Sequence, residues 1–140
     1  MAGWHIINRM NTRVYVSILV QNADGEVLLV KRSSDSKFAP GQWEFINGSI
    51  DPGETAEQTA VRELIEEAGI GIDQSMLTPG KIYETTDADG RWVVLPFKVT
   101  VQDADVTISP EHTDYQWLSV GDISSIDDVA SDFASMNFND

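Results

Sequence analysis

The sequence predicts an α/β fold in which helices cover a central mixed β-sheet. Short β-branched segments recur along the chain, one segment near the middle has a strong helical pattern, and two shorter helical patterns follow at the end. Strands that surround one strong helix are typical of layered α/β domains. A chain of 140 residues fits one compact domain, so we expect residues 1–140 to form a single domain with one functional site.

Local patterns define the strands at the start of the chain. Thr12 to Val20 is β-branched, Asp24-Gly25 is a turn and Val27 to Val30 is apolar, which together predict a β-hairpin. Pro40-Gly41 marks a second turn, and Trp43 to Ile46 is typical of a short strand.

The clearest helix is predicted from Thr55 to Ala68. Thr55 and Gln58 form a capping box at its start, and Gly69 stands where a left-handed C-terminal cap belongs. The glycine-containing loop before it, residues 48–53, is either a plain turn or a place where the backbone comes close to a ligand.

The second half of the chain adds strands and short helices. Lys81 to Thr86 and Trp92 to Val101 are predicted strands joined by a turn at residues 87–90, and Tyr115 to Leu118 is a third. Two further segments have patterns that predict short helices: Val120 to Ile126 and Val129 to Met136.

The composition excludes several classes of protein. Hydrophobic residues make up 41% of the chain, but no apolar run is long enough to cross a bilayer, so we expect a soluble protein without membrane association. Residues 1–11 lack the features of a secretory signal, and the absence of cysteine excludes disulfides and thiolate metal sites. These features fit a cytoplasmic protein.

Acidic residues dominate the charge of the chain. There are 23 Asp and Glu against 9 Lys and Arg, which gives a net charge of −14. Such a surface makes long nucleic acid a poor partner, and solubility or adaptation to high salt would also produce it. A polyphosphate ligand would be repelled as well, so a cation would have to mediate its binding.

The predicted helix has an unusual polar face. On a helical wheel Glu63, Glu66 and Glu67 lie within roughly 100° of one another, where like charges repel by about 0.2 to 0.5 kcal/mol per pair. The face that we expect to be buried holds four other residues: Val61, Leu64, Ile65 and Ala68. The acidic face is either simply solvated or a site for a hard divalent cation, which would turn the repulsion into coordination.

Together these residues resemble the signature of the Nudix hydrolase family. The signature is a Gly, five residues, a Glu, seven residues, and then Arg-Glu-aliphatic-any-Glu-Glu-any-Gly-aliphatic. Here it runs from Gly48 through Glu54 to Arg62–Ile70, with every constrained position filled. Segments before and after the motif, including Glu111 to Leu118, also resemble family features. The resemblance implies a Nudix-type α/β/α sandwich with a central mixed β-sheet.

The resemblance also implies a cofactor, a reaction and residue roles. The cofactor would be Mg²⁺, with Mn²⁺ as a substitute, and the reaction would be hydrolysis of a diphosphate linkage in a nucleoside diphosphate derivative. Arg62 would orient Glu63, and Glu54 would support the loop or the water shell of the metal. The metal ligands would be Glu63, Glu66, Glu67 and the backbone carbonyl of Asn47.

Asn47 departs from the commonest family pattern. Many members have Pro-Gly-Gly at this point, whereas this chain has Ile46-Asn47-Gly48. Asparagine keeps the backbone carbonyl and tolerates the left-handed conformation better than other non-glycine residues, so we expect the metal ligand to be retained.

The catalytic base in this family often comes from outside the motif. Glu111 is the first candidate and Glu84 the second, and Glu111 could equally be a surface or structural acid. The lone histidines, His5 and His112, are expected to be structural.

Substrate contacts are expected on the strands before the motif. The candidates are Arg32 and Trp43-Glu44-Phe45, an arrangement that resembles members that hydrolyse nucleoside triphosphates, including oxidised purine forms. Six aromatic residues could stack on a base, although we expect most of them in the core: Phe38, Trp43, Phe45, Tyr83, Trp92 and Phe97.

Three functional hypotheses follow. The first is a (d)NTP pyrophosphohydrolase that releases a monophosphate and pyrophosphate. The second acts on a dinucleoside polyphosphate, whose hydrolases the Glu111 to Leu118 segment resembles, or on ADP-ribose or a nucleotide sugar. The third is a regulatory module that binds a nucleotide without turnover, and the complete carboxylate set argues against it. In each case the partner is a small nucleotide, and a homodimer is compatible with such domains.

Overall fold

The computed structural model describes residues 11–87, 90–102 and 104–138. Within this part of the chain, eight strands form one mixed sheet. The strands are β1 (Thr12–Gln21), β2 (Val27–Arg32), β3 (Trp43–Glu44), β4 (Ile46–Ser49), β5 (Thr78–Pro79), β6 (Tyr83–Asp87), β7 (Gly90–Thr100) and β8 (His112–Leu118). The helices are α1 (Ala56–Ala68), α2 (Val120–Ile123) and α3 (Asp127–Ser135), with a 3₁₀ turn at Gln74–Met76.

The sheet is mixed because its two longest strands run parallel. The main strand order is β3-β2-β1-β7-β5, while β4 pairs with β1, β6 with β7 and β8 with β2. β1 pairs in parallel with β7 over its whole length, from Thr12 opposite Arg91 to Gln21 opposite Thr100. The other pairings are antiparallel. The predicted hairpin between β1 and β2 is confirmed, and it closes at Gln21 and Val27.

Other predicted elements are present with altered bounds. The strand expected over Trp43 to Ile46 is two short strands, β3 and β4, that pair with different neighbours, β2 and β1. The two C-terminal helices are confirmed, although the first ends at Ile123. Ala88 and Asp89 of the turn expected at 87–90, and His5, lie outside the described residues.

The core lies on both faces of the sheet. Along β1, Ile18 and Val20 belong to the cluster under α1, whereas Leu19 belongs to the cluster under α2 and α3. Successive side chains of a strand point to opposite faces, so consecutive apolar residues of β1 contribute to the core on both faces of the sheet. The expected α/β/α arrangement is confirmed. Among the residues that the structure describes, no helix is long and apolar enough to span a membrane.

Helix α1 is confirmed with both of its caps, but its buried face differs from the prediction. Ala60, Leu64 and Ala68 are fully buried, whereas Ile65 is 52% exposed and Glu67 only 5% exposed. The prediction that Ile65 faces the core is therefore wrong. Two alanines in the buried stripe allow the helix to lie close to the sheet. In the orientation that the helix adopts there, Ile65 points outward and Glu67 points inward.

Candidate active site

The contact between β4 and α1 brings the loop and the helix of the motif together. β4 pairs with β1, which places Gly48 opposite Val16. A Cβ atom at Gly48 would overlap the carboxyl group of Glu63. Asn47 does not adopt the left-handed conformation that asparagine tolerates, because Ala39 is the only non-glycine residue with positive φ in the described chain. Gly48 is required here for the close approach of Glu63 rather than for its φ angle.

Arg62 holds the acidic face of α1 together. Its Nε and Nη2 donate to the two carboxylate oxygens of Glu54 at 2.7 and 2.9 Å, and its Nη1 donates to Glu63 at 2.8 Å and Glu66 at 3.2 Å. Nη2 also donates to the backbone carbonyl of Ser49 at 3.1 Å, which ties the helix to the end of β4. This network offsets the repulsion that the helical wheel predicts between Glu63 and Glu66.

Glu54 links the loop to the helix. It accepts hydrogen bonds from the backbone N–H of Asp51 at 3.1 Å and from the hydroxyl of Thr59 at 2.8 Å. The hydrogen bonds from Arg62, and then from Thr59, lower the pKa of Glu54 from 4.5 to about 2, so this carboxylate stays ionised. The hydrogen bonds to Glu54 and Glu63, together with the charges of Glu63 and Asp51, raise the pKa of Arg62 further above its ordinary value.

A second group of side chains, which we call the acidic cluster, consists of Glu44, Glu67 and His112. Their ligand atoms lie within 4.8 Å of one another. His112 Nε2 lies 3.0 Å from Glu44 Oε2 and 3.6 Å from Glu67 Oε1. His112 Nδ1 is hydrogen-bonded to the hydroxyl of Ser109 at 3.2 Å. The pairing of β2 with β8 places His112 opposite Arg32 and so brings it to this end of the sheet.

The acidic cluster fits a divalent cation. Within the described residues, Glu67 Oε2 is buried and has no hydrogen-bond partner. Burial, the adjoining Glu63 side chain and the charges of Glu44 and Glu111 raise the pKa of Glu67 to about 11. A buried carboxylate among other carboxylates is costly unless a cation neutralises it, and carboxylate oxygens are the ligands that Mg²⁺ prefers. Glu66, by contrast, is 56% exposed and tied to Arg62.

A pocket of about 580 Å³ lies on the α3 face of the sheet and reaches the acidic cluster. Glu44 belongs both to the pocket lining and to the cluster. The aromatic residues that line the pocket are Tyr15, Phe38, Trp43, Phe45 and Trp92. Its polar residues include Arg13, Arg32, Gln42, Asn47 and Asp132. The pocket thus combines aromatic surface with hydrogen-bonding groups, as ligand pockets generally do.

The predicted substrate residues differ in their accessibility to a ligand. Arg32 lines the pocket, but its donors are directed to Glu44 at 3.1 Å, to Ser36 and to the carbonyl of Phe38. Phe45 is 2% exposed and packs against Phe133, so its ring belongs to the core beneath the pocket. Phe97 is also buried in the core.

The two candidate bases lie in different places. Glu111 is exposed, directly precedes β8, and is close enough to raise the pKa of Glu67. Glu84 pairs with Arg91 on β6 and β7. Its neighbour Thr85 lines the pocket, so Glu84 points to the opposite face of the sheet. The structure therefore brings Glu111, and not Glu84, towards the cluster.

Three residues of the site were not indicated by the sequence. Burial of His112 and its bond to Ser109 agree with the structural role expected for it, but nothing local predicts its position beside Glu67. Arg13 and Asp132 join the pocket from opposite ends of the described chain. Only the strand pairing and the packing of α3 bring them there, so no motif could have identified them.

Comparison with known proteins agrees with this geometry. The family model described as "NUDIX domain" matches residues 11–136. The "Nucleoside triphosphatase NudI" of Escherichia coli O81 (strain ED1a) is 35% identical over 127 residues, which cover 84% of this chain and 89% of the relative.

Solved structures show the same relationship. The MutT protein from Methanosarcina mazei Go1 is similar with a TM-score of 0.76 and 28% identity, covering 89% of this chain and 92% of that one. A binary complex of the C. elegans Ap4A hydrolase is similar with a TM-score of 0.71 and 25% identity, covering 87% and 90%. The chain therefore belongs to the Nudix family of hydrolases, which act on nucleoside diphosphate derivatives.

Proposed function

We propose that the protein is a divalent-metal-dependent nucleoside triphosphate pyrophosphohydrolase that forms a nucleoside monophosphate and pyrophosphate. The observation that carries this proposal is the position of Glu44, which joins the acidic cluster to the aromatic pocket. One ligand could thus place its phosphates at the carboxylates and its base among the aromatic rings. The similarity to a nucleoside triphosphatase of Escherichia coli supports a triphosphate substrate.

The reaction requires the residues of α1 and their neighbours to hold defined positions. Mg²⁺ or Mn²⁺ held by Glu63, Glu66 and Glu67 and by the Asn47 carbonyl would neutralise phosphate charge and make a water molecule more acidic. Arg62 orients Glu63 through its 2.8 Å hydrogen bond. We assign Glu111 as the base. The oxygen of water bonds to phosphorus, the phosphoanhydride bond breaks, and the proton passes to Glu111.

The test is a screen of nucleoside triphosphates, ADP-ribose and dinucleoside polyphosphates with Mg²⁺, with the products separated by chromatography. We expect triphosphates to give a monophosphate and pyrophosphate, and removal of the metal by EDTA to abolish turnover. Glu111→Gln should lower kcat by about 100-fold or more, because the group that accepts the proton of the water is lost. Full activity of this variant would show that another group is the base.

Dinucleoside polyphosphate hydrolysis is the second candidate. The structural similarity to the C. elegans Ap4A hydrolase and the Glu111 to Leu118 segment favour it. Turnover of dinucleoside polyphosphates without turnover of triphosphates would replace the first proposal with this one. Nucleotide binding without turnover of any of these compounds would instead support a regulatory module.

A further inference from the structure

We propose that Arg13 determines base specificity, by donating hydrogen bonds to a nucleobase edge that carries carbonyl acceptors. The expected preference is for guanine over adenine. This inference rests on the proposed function in one respect, namely that the pocket binds a nucleotide. It deepens that function by naming the class of base.

Two aromatic rings hold the Arg13 side chain at the wall of the pocket. Its Cζ atom lies 5.3 Å from the centre of the Phe38 ring and 5.0 Å from that of Trp92. Trp92 is itself in edge contact with Tyr15, with the ring centres 5.5 Å apart. Cation–π contacts on two sides restrict the guanidinium without using its hydrogen-bond donors.

Arg13 differs from the other described arginines in its charge partners. Arg32, Arg62 and Arg91 each form an ion pair with a glutamate, whereas no carboxylate pairs with Arg13 within the described residues. This is unexpected in a chain with a net charge of −14. Arg13 is also half-buried, and hydrogen-bond donors taken from water need new acceptors. A ligand that enters the pocket would supply them.

The position of Arg13 along β1 indicates a base rather than a phosphate. Ser17 pairs with Asn47, next to the Gly48 on which Glu63 packs. Arg13 precedes Ser17 by four residues, which corresponds to roughly 13 Å along a strand. Phosphates held at the carboxylates would therefore leave the base near Arg13, Phe38 and Trp92. Aromatic rings are the surfaces on which nucleobases stack.

The chemistry of the guanidinium gives the direction of selectivity. Arginine offers donors only, and guanine presents two adjacent acceptors, O6 and N7, that it can bind with two parallel hydrogen bonds. Adenine presents an amino donor in place of O6, so it loses one bond and gains a conflict between donors. Uracil and thymine also carry a carbonyl where cytosine carries an amino group.

The test compares kcat/KM for GTP and ATP in the wild type, Arg13→Gln, Arg13→Lys and a matched control, Arg91→Gln. Arg91 adjoins Trp92 on the same sheet, but it pairs with Glu84 on the face away from the pocket. We expect the preference for GTP over ATP to fall by about 5- to 100-fold in Arg13→Gln, mainly through KM, and less in Arg13→Lys. Arg91→Gln should keep the wild-type preference.

Equal losses for GTP and ATP in Arg13→Gln would overturn the inference and identify Arg13 as a phosphate ligand. Unchanged kinetics would overturn it as well. Binding of guanosine and adenosine without metal, measured by calorimetry, separates this inference from the proposed function because neither ligand has phosphates. Guanosine binding that depends on Arg13 supports the inference even if no triphosphate is hydrolysed. Triphosphate turnover with no role of Arg13 in guanosine binding contradicts the inference alone.

Discussion

At the scale of single residues, Glu67 has a carboxyl group whose environment opposes folding. Its carboxyl group is buried with one oxygen lacking a hydrogen-bond partner in the described chain, and its pKa is raised to about 11. A group with these properties destabilises the cation-free protein, and a bound cation would reverse that effect. Perturbed carboxylates of this kind cluster at functional sites.

Glu67→Gln is therefore expected to gain stability and lose function. Because its pKa is raised, Glu67 keeps a proton in the folded protein that it releases above pH 4.5 in the unfolded chain. In EDTA, the free energy of unfolding of the wild type should therefore fall as the pH rises from 5 towards 9. The variant should lack this slope and melt about 4 °C or more higher at pH 8. Its kcat should fall by about 100-fold or more, because the variant loses a proposed metal ligand.

Thermal unfolding in EDTA and in Mg²⁺, together with steady-state kinetics, checks this expectation. Mg²⁺ should raise the Tm of the wild type and have little effect on Glu67→Gln. A variant that melts below the wild type in EDTA at pH 8 would show that Glu67 stabilises the fold without a cation.

At the scale of elements, the contact between β4 and α1 assembles the motif. Gly48 lies against Glu63, and Arg62 reaches the carbonyl of Ser49, so strand and helix are joined at two points. The capping box at the start of α1 fixes where the helix begins, and Gly69 fixes where it ends. These local features place Glu63, Glu66 and Glu67 on consecutive turns near the helix end.

Gly48→Ala should displace the Glu63 carboxyl group. Overpacking at a site of this kind destabilises by about 1 to 3 kcal/mol. A shift of about 1 Å in Glu63, a proposed metal ligand, should lower activity by about 100-fold. Gly71→Ala is the matched control, because a Cβ there meets nothing within 4 Å and φ is not positive. Chemical denaturation and kcat measure both effects, and equal behaviour of the two variants would contradict the role of Gly48.

Thr55→Ala should remove the N-cap of α1. The Thr55 side chain accepts from the backbone N–H of Gln58 at 3.1 Å, and the Gln58 side chain accepts from the backbone N–H of Thr55 at 2.9 Å. Loss of such a cap destabilises by about 1 kcal/mol, or about 4 °C in Tm for a domain of this size. The conservative variant Thr55→Ser should retain most of the wild-type Tm in calorimetry, and an equal loss in both variants would point to the threonine methyl group instead.

At the scale of the whole molecule, the fold places two groups of side chains on opposite faces of one sheet. The carboxylates of α1 lie on one face, and the aromatic pocket lies on the α3 face. β3 connects them, because Glu44 contributes to both the pocket and the acidic cluster. The proposed base specificity and the proposed phosphate chemistry thus depend on different layers of the sandwich.

The net charge of −14 predicts that salt stabilises the protein. Self-repulsion of like charges opposes the compact state, and the Debye length falls from about 30 Å at 0.01 M salt to about 3 Å at 1 M. The Tm in EDTA should therefore rise between 10 mM and 500 mM of either NaCl or tetramethylammonium chloride. A rise with NaCl alone would indicate specific cation binding rather than screening.

Sequence alone determined the features that depend on neighbouring residues. The helix from Thr55 to Ala68, its two caps and the motif follow from hydrogen bonds and periodicity within a few positions. The layered fold class follows in the same way from the alternation of strand and helix patterns.

Tertiary structure decided which distant residues meet and which face of each element is buried. His112 contacts Glu44 across a sequence separation of 68 residues, and Arg13 reaches Trp92 because β1 pairs in parallel with β7. Helix periodicity specified an acidic face, but packing against the sheet turned Glu67 inward and Ile65 outward. Such contacts depend on strand register and close packing, which no local pattern specifies.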